Sequence, residues 1–383
     1  MTLLANHFAN QQKLMPFEAV KAQLFASPKA VNEAKTNLAA ARGALLAEQA
    51  KLRKAKHPED EIKRSLAPLL RTHTRALRGY SQKAVKLQPA KKQRSKEQLI
   101  RRIKTLHRGV ILWQGESLLT GEPIAIMLQH GSGNSKTGAM HQTYILMADI
   151  PPLSAMQNRI ESAICGTCPH RPQKDGTRSC YVDLRSIQGA WQSVTGTGIR
   201  TGIAAERRYL TLQEVSLLLE VSEQEALAML GAESKIRLGT YGDPAAVPAE
   251  ILSALVSKAE SWTGYTHQWE NPAVPAEQKE ALKPLVMASV DSAAQYVSAT
   301  AAGWIPFVVT SSVEAGRGLR FLADLPVAMC PASQEAGQRV TCSGCPIGCN
   351  GTSQTKPKAV FIKAHGNVTT IRSYAKHAAQ AWA

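Results

Sequence analysis

Seven cysteines gathered into two tight groups constrain this 383-residue chain more than any other feature. Cys165-Gly166-Thr167-Cys168-Pro169-His170-Arg171 is followed by Cys180-Tyr181. Farther on, Cys330 precedes Cys342-Ser343-Gly344-Cys345-Pro346-Ile347-Gly348-Cys349, and no other position is cysteine. Structural thiols scatter through a core, whereas metal ligands cluster, because a short loop presets their spacing and less chain entropy is lost on binding. Disulfides are the competing use. The count is odd, however, and the opening Met1-Thr2-Leu3-Leu4-Ala5-Asn6-His7 has no basic region leading into an apolar run. The chain is therefore expected in the reducing cytoplasm of a bacterial host, where thiols stay free. Inert buried cysteine does not account for two Cys-x2-Cys pairs set among Gly and Pro.

Charge divides the chain as sharply as cysteine does. Residues 1–108 hold 24 Lys/Arg against 7 Asp/Glu, which is the whole net charge of +17, while the remainder holds 22 of each sign. Two units with different tasks are expected: a basic helical arm and linker over 1–108, and a cysteine-rich domain over 109–383. In the arm, residues 31–56 lack breakers and read as a long helix, His57-Pro58 as a stop, and 58–80 as a second helix. The most basic run follows, over 83–104. Such a block attracts DNA or RNA through phosphate neutralisation and counterion release, against the plainer reading of a solvated helical surface. Its sparse aromatics (Phe8, Phe17, Phe25, Tyr80) favour backbone contact over reading of bases. No apolar run approaches the roughly 20 residues that span a bilayer, so no membrane partner is expected.

Strand and helix patterns alternate through the second unit. Strands are expected over 110–113, 123–128, 142–147, 235–238, 264–269, 284–288, 304–310, 326–329 and 358–363, and helices over 248–260, 276–282 and 291–302. Buried, unalternating strands separated by helices predict an α/β fold with a parallel, barrel-like sheet, related to the TIM barrel and possibly incomplete. Sites in such folds gather where loops leave the C-terminal ends of strands, which is where Gly242-Asp243-Pro244, His267, Ser289, Asp291 and Cys330 fall. The loop Gly131-Ser132-Gly133-Asn134-Ser135-Lys136-Thr137 imitates a phosphate-binding loop, but Ser135 stands where glycine is needed and strands flank it on both sides, so a hairpin is expected. Residues 209–230 have the outline of a helix-turn-helix. Its second helix would open with Glu223-Gln224-Glu225, the wrong sign for phosphates, and a structural helix pair is the expected reading.

The thiols divide as three plus four. Cys330, Cys342, Cys345 and Cys349 suffice for a tetrahedral zinc or one [4Fe–4S] cluster. Cys165, Cys168 and Cys180 are one ligand short: either His170 closes a zinc site, or the fourth position stays open for a substrate or cofactor. Ligand softness admits zinc and iron–sulfur alike.

The run Cys165–Cys180, Lys136-Thr137-Gly138-Ala139-Met140-His141 upstream of it, Arg237-Leu-Gly-Thr-Tyr-Gly-Asp243-Pro244, Gly264-Tyr-Thr-His-Gln-Trp269, Met287-Ala-Ser-Val-Asp291 and the last cysteine run resemble a phage and plasmid family of cysteine-rich proteins termed gene product 88-like. The resemblance covers about 109–370 and implies kinship with mobile elements, but no reaction. A more distant resemblance is to radical S-adenosylmethionine enzymes. These have a parallel α/β barrel, a three-cysteine loop whose [4Fe–4S] cluster keeps one iron open, and often a four-cysteine auxiliary cluster. It implies that Gly242, Asp243 and Pro244 bind S-adenosylmethionine, with Asp243 receiving its amino group. The spacing departs from that family's Cys-x3-Cys-x2-Cys. The expected function is thus a mobile-element iron–sulfur protein with radical S-adenosylmethionine-type chemistry, or alternatively a zinc-stabilised nucleic-acid-binding protein in element replication or maintenance.

Overall fold

A computed structural model describes residues 95–131, 133–173, 176–195, 209–310, 319–322, 325–338, 340–352, 359–366 and 368–378, with scattered positions between Lys21 and Pro68. The expected helices over 31–56 and 58–80 lie mostly outside the described residues, and the basic run over 83–94 lies wholly outside them. The positions described between Lys21 and Pro68, such as Thr36, Glu48 and Leu52, are helical, save Ala55 in a turn. The chain divides into two compact units. One comprises 1–108, 189–210 and 217–220; the other holds 109–188, 211–216 and 221–383.

In the first unit, α1 (Lys96–Leu106) begins where Ser95 caps it. The Ser95 side chain accepts from the Gln98 N–H at 3.3 Å and the Gln98 side chain accepts from the Ser95 N–H at 3.2 Å, a reciprocal capping box. Leu99, Ile100 and Ile103 form its buried stripe, and Glu97 and Lys104 sit at the helix ends that favour their charges.

The second unit opens as an antiparallel meander of β1 (Gly109–Glu116), β2 (Pro123–Gln129) and β3 (His141–Met147). The near-continuous apolar run of β2 is buried along its middle, as a central strand requires. The loop over 131–138 closes the β2–β3 hairpin, so its likeness to a phosphate-binding loop is superficial. After α2 (Pro152–Asn158), α3 (Ser162–Cys165), α4 (Leu184–Thr195), the two-residue strand β4 (Leu210–Thr211), α5 (Leu212–Leu219) and α6 (Glu223–Gly231), the chain returns as β5 (Lys235–Tyr241), parallel to β3. A short 3-10 turn (Pro244–Ala246) and α7 (Ala249–Val256) lead to β6 (Ser261–Thr263), parallel to β5. Within this unit β1, β2, β3, β5 and β6 are neighbours in that order in the first sheet.

A second sheet follows without a break in the chain. β7 (Tyr265–Thr266), α8 (Ala276–Leu282), β8 (Met287–Val290), α9 (Ala293–Ala301), β9 (Pro306–Thr310), β10 (Leu319–Leu322), β11 (Leu325–Met329), β12 (Val360–Lys363) and α10 (Val368–Ala378) complete the described elements. The strand order is β7-β8-β9-β12-β11-β10. All its pairs are parallel except β10–β11, and the last strand, β12, slots between β9 and β11. The molecule is therefore a mixed α/β protein with parallel strands, and the residues following β7, β8, β11 and β12 leave along strand ends of one sense.

Two expected strands differ in extent. The run over 264–269 breaks at Gly264, where a Cβ would lie 2.7 Å from Val286 Cγ1 and 3.1 Å from Leu238 Cβ. Gly264 instead turns its N–H to the Cys349 carbonyl at 2.9 Å. After Thr266 the chain leaves the ladder, the His267 N–H donating to Asp243 Oδ2 at 2.8 Å and the Gln268 N–H to Thr266 Oγ1 at 2.9 Å. The strand expected over 284–288 starts at Met287, because the N–H groups of Leu285 and Val286 close the last turn of α8 on the Leu282 carbonyl.

The segment with a helix-turn-helix outline forms α5 and α6, the latter capped by Ser222 and opening with Glu223 and Glu225. Ala226 to Gly231 are buried, and a Cβ on Gly231 would run into the Leu255 carbonyl of α7. That helix face is used in packing. Among the described residues no helix is long and apolar enough to cross a membrane.

Candidate metal centres

The first cysteine group lies on the connection from β3 to β5. α3 ends at Cys165, whose N–H returns to the Glu161 carbonyl at 2.8 Å. Gly166 then takes φ 52° and ψ −127°, a conformation that side chains other than glycine's resist, and any Cβ would strike Gln268. Gln268 is fully buried and grips this turn. Its Oε1 accepts from the Thr167 N–H and Thr167 Oγ1, both at 3.1 Å, and its Nε2 donates to the Cys165 carbonyl at 3.0 Å. The Cys168 N–H donates to Cys165 O at 3.1 Å and the Cys180 N–H to His170 O at 2.8 Å. These bonds fold the long spacing back, so that Cys165, Cys168 and Cys180 share one neighbourhood. Burial pushes the Cys165 thiol well up, and Cys168, Glu161, Cys180 and Asp243 add to the effect; burial also raises Cys180.

The second group sits in the apolar core of the second sheet. Cys330 and Cys349 are buried among Met287, Ile305, Phe307, Val360 and Ile362, with Cys342 packed against them. The hairpin loop supports this group from outside: Cys342 and Ser343 donate their N–H groups to the carbonyls of Lys136 and Thr137 at 2.9 and 3.0 Å. Burial raises Cys330, against an opposing effect from Lys136, and it also raises Cys345. Cys349 is pushed up to about 12 by burial, with Cys330 adding to it. Among the described residues all seven cysteines are free thiols.

A buried cation faces these thiols. Arg237, on β5, is 9% exposed, and its Nη2 donates to Tyr181 Oη at 2.9 Å. Its guanidinium lies 5.7 Å from the centroid of the Tyr265 ring, and Nε has no hydrogen-bond partner. Burial opposes the charge, yet Tyr181, Tyr265 and Cys342 hold the group firmly protonated. Among the described residues no carboxylate pairs with it. An unpaired buried charge is costly, and the anionic set of thiolates around a bound metal supplies what is missing. Donor softness, burial and surrounding charge suit a metal of the zinc or iron–sulfur class at the four thiols, although no three of these sulfurs lie within 4.8 Å of one another.

The sequence candidates at the strand ends have definite partners. Gly242 has φ 79° and its missing Cβ makes room for Ile145, and Pro244 begins the 3-10 turn. The Asp243 carboxylate is buried. Oδ1 accepts from Thr266 Oγ1 at 2.6 Å and the Ala245 N–H at 3.0 Å, and Oδ2 accepts from the His267 N–H at 2.8 Å. The Asp243 N–H donates to the Ile164 carbonyl at 2.6 Å, tying β5 to the first cysteine loop. Desolvation raises its pKa against these hydrogen bonds. His170 has both ring nitrogens engaged, Nδ1 with Ser179 Oγ at 2.9 Å and Nε2 with Asp291 Oδ1 at 3.1 Å. Its donor atom groups within 4.8 Å with those of His267 and Asp291 and with none of the three thiols.

Three functional features were not visible in the sequence. Gln268 was hidden inside a run read as strand. Arg237 looked like one more charge on a strand. Glu161, buried beside Cys165, meets Tyr241 Oη through Oε1 at 2.9 Å while its Oε2 has no partner, and burial raises its pKa. No protein-family model, curated protein or solved structure matches this chain.

Proposed function

We propose that this chain is an iron–sulfur protein of a phage, plasmid or related mobile element. In this reading Cys330, Cys342, Cys345 and Cys349 hold a structural cluster, while Cys165, Cys168 and Cys180 hold a second one with an open position. The observation that carries it is the buried Arg237, which has no carboxylate partner among the described residues and stands near the half-buried Cys342. The finer fold reading is a parallel barrel-like sheet, related to the TIM barrel and incomplete, whose strand ends present both thiol groups. The kinship proposed from the motifs is with the gene product 88-like proteins.

The proposed chemistry at the three-thiol group is of the radical S-adenosylmethionine type, in which a bound reduced cluster supplies an electron to the cofactor. The residues of this chain would orient and shield. Gln268 fixes the Cys165–Cys168 turn, Gly242 and Pro244 shape the end of β5, and Asp243 braces it. The three bonds Asp243 already accepts favour a bracing role over direct reception of an amino group. Residues 1–108 would add polyanion contact through their charge, with DNA or RNA as ligand.

Anaerobically purified protein should be brown and contain iron and acid-labile sulfide, and the reconstituted protein should bind S-adenosylmethionine. A colourless protein with stoichiometric zinc would replace this reading with the zinc-stabilised one, and clusters without cofactor binding would remove the radical chemistry alone. Deleting residues 1–94 should abolish nucleic-acid affinity, which in the full chain should fall steeply with salt. An affinity indifferent to salt would assign the contact elsewhere.

A further inference from the structure

We propose that His170, His267 and Asp291 form a binding site for one divalent first-row transition-metal ion. The site does not depend on the iron–sulfur reading. Among the described residues this is the set of three potential ligands whose donor atoms all lie within 4.8 Å of one another, and no cysteine belongs to it.

The three come from separate places: His170 from the cysteine loop, His267 from the end of β7 and Asp291 from the end of β8. His170 Nε2 is 3.1 Å from Asp291 Oδ1, and His267 Nε2 is 3.6 Å from Asp291 Oδ2. Nitrogen and oxygen donors about 2.0–2.2 Å from an ion lie about 3.0–3.6 Å apart in octahedral or tetrahedral arrangements. Both histidine–carboxylate pairs thus have the spacing of donors on one ion, and all three donor atoms lie within 4.8 Å of one another.

Each ligand is also held from behind. Ser179 Oγ meets the other nitrogen of His170 at 2.9 Å, and the Tyr374 ring stacks on that imidazole at 5.4 Å. This leaves Nε2 as the metal-facing nitrogen, the outer-shell pattern that orients metal-bound histidine. The Asp291 N–H is fixed by Gln295 Oε1 at 2.9 Å. His267 Nε2 is buried and makes no hydrogen bond although it faces the carboxylate. A hydrogen-bonded triad alone would leave that atom unsatisfied; an ion among the three satisfies it and replaces the proton that His170 shares with Asp291. Two imidazoles and one carboxylate suit zinc or ferrous iron and leave further positions open.

Cobalt(II) is the probe, because its thiolate-to-metal charge-transfer bands separate sulfur-bound from nitrogen- and oxygen-bound ions. The metal-free full chain should bind one more equivalent of cobalt(II) than either His267→Gln or Asp291→Asn. The difference spectrum should lack thiolate bands, while the thiolate bands of the other equivalents, retained in each variant, report an intact fold. Ser179→Ala, which removes only an outer partner, should weaken that equivalent by about 10–100-fold. Equal stoichiometry in parent and variants would overturn the proposal and leave a hydrogen-bonded triad. A lost equivalent that carries thiolate bands and also vanishes in Cys168→Ser would overturn it too, placing His267 in the thiol centre. If the iron–sulfur reading alone fails, the extra equivalent persists.

Discussion

Replacing Asp243 by asparagine separates a bracing role from a cofactor-binding one. The carboxylate accepts three bonds, two at Oδ1 and one at Oδ2, from Thr266, Ala245 and His267. Asparagine offers a single oxygen. If that oxygen takes the Oδ1 place, the amide nitrogen faces the His267 N–H, donor against donor; in the flipped orientation it faces the Ala245 N–H, while the Thr266 hydroxyl can rotate to accept. Either way one buried N–H loses its acceptor, at about 1–3 kcal/mol, and the surviving bonds lose the charge that strengthened them. Relief of carboxylate desolvation, seen in the raised pKa, offsets part of this. The expected net loss is about 1–3 kcal/mol, read as a lower urea midpoint for the chelator-treated protein. Because the Asp243 N–H holds Ile164 and the neighbouring Gln268 holds Cys165, the damage should spread to the first cysteine loop. Cys165, Cys168 and Cys180 should alkylate faster, with the second group unchanged. An unaltered midpoint and unaltered alkylation would refute the bracing argument; if S-adenosylmethionine affinity fell in that same variant, the carboxylate would belong to the cofactor.

Arg237→Met should leave the metal-free protein as stable or more stable, since it removes an unpaired buried charge, yet reduce metal retention at the four-thiol group by about 10–100-fold; parallel losses in both measurements would contradict the charge argument. Glu161 has its pKa raised in the folded state by burial, so its contribution to stability is full below the ordinary carboxylate range and is lost as pH rises through the raised value. Glu161→Gln should flatten that decline in pH-dependent denaturation of metal-free protein, and an unchanged profile would count against it. Gly351→Ala puts a methyl group into the Lys283 carbonyl and should cost about 1–3 kcal/mol with loss of metal at the adjoining Cys349; a thermal midpoint equal to the parent's would contradict the packing.

Local pattern carried much of the fold. Pro123-Ile-Ala-Ile-Met-Leu128 is apolar at every position, so it reads as a strand buried on both faces without tertiary information. The spacing of the cysteines is equally written in the chain, whereas the approach of their sulfurs to one another is not. What stayed hidden was set by contacts between distant segments. The break at Gly264 depends on Val286 and Leu238 pressing against one backbone atom, and nothing between residues 261 and 269 records that pressure. Gln268 is a strand residue by pattern and a clamp on Thr167 by geometry, 101 residues away.

The same distinction applies to Asp243. An acid after a strand and before a proline looks available, because the sequence shows no donors around it. Two of its three donors, Thr266 on β7 and His267 just after it, arrive 23 and 24 residues later. Parallel strands make this systematic. Each strand end is beside the end of a strand distant in sequence, so the chemistry of the edge belongs to sets such as Asp243–Thr266–His267 and His170–His267–Asp291. His267 is in both: its N–H braces Asp243 while its ring faces Asp291. The departure of the chain from the ladder after Thr266 therefore sets the positions of two acids at once. A change that restored strand geometry there would be expected to disturb both.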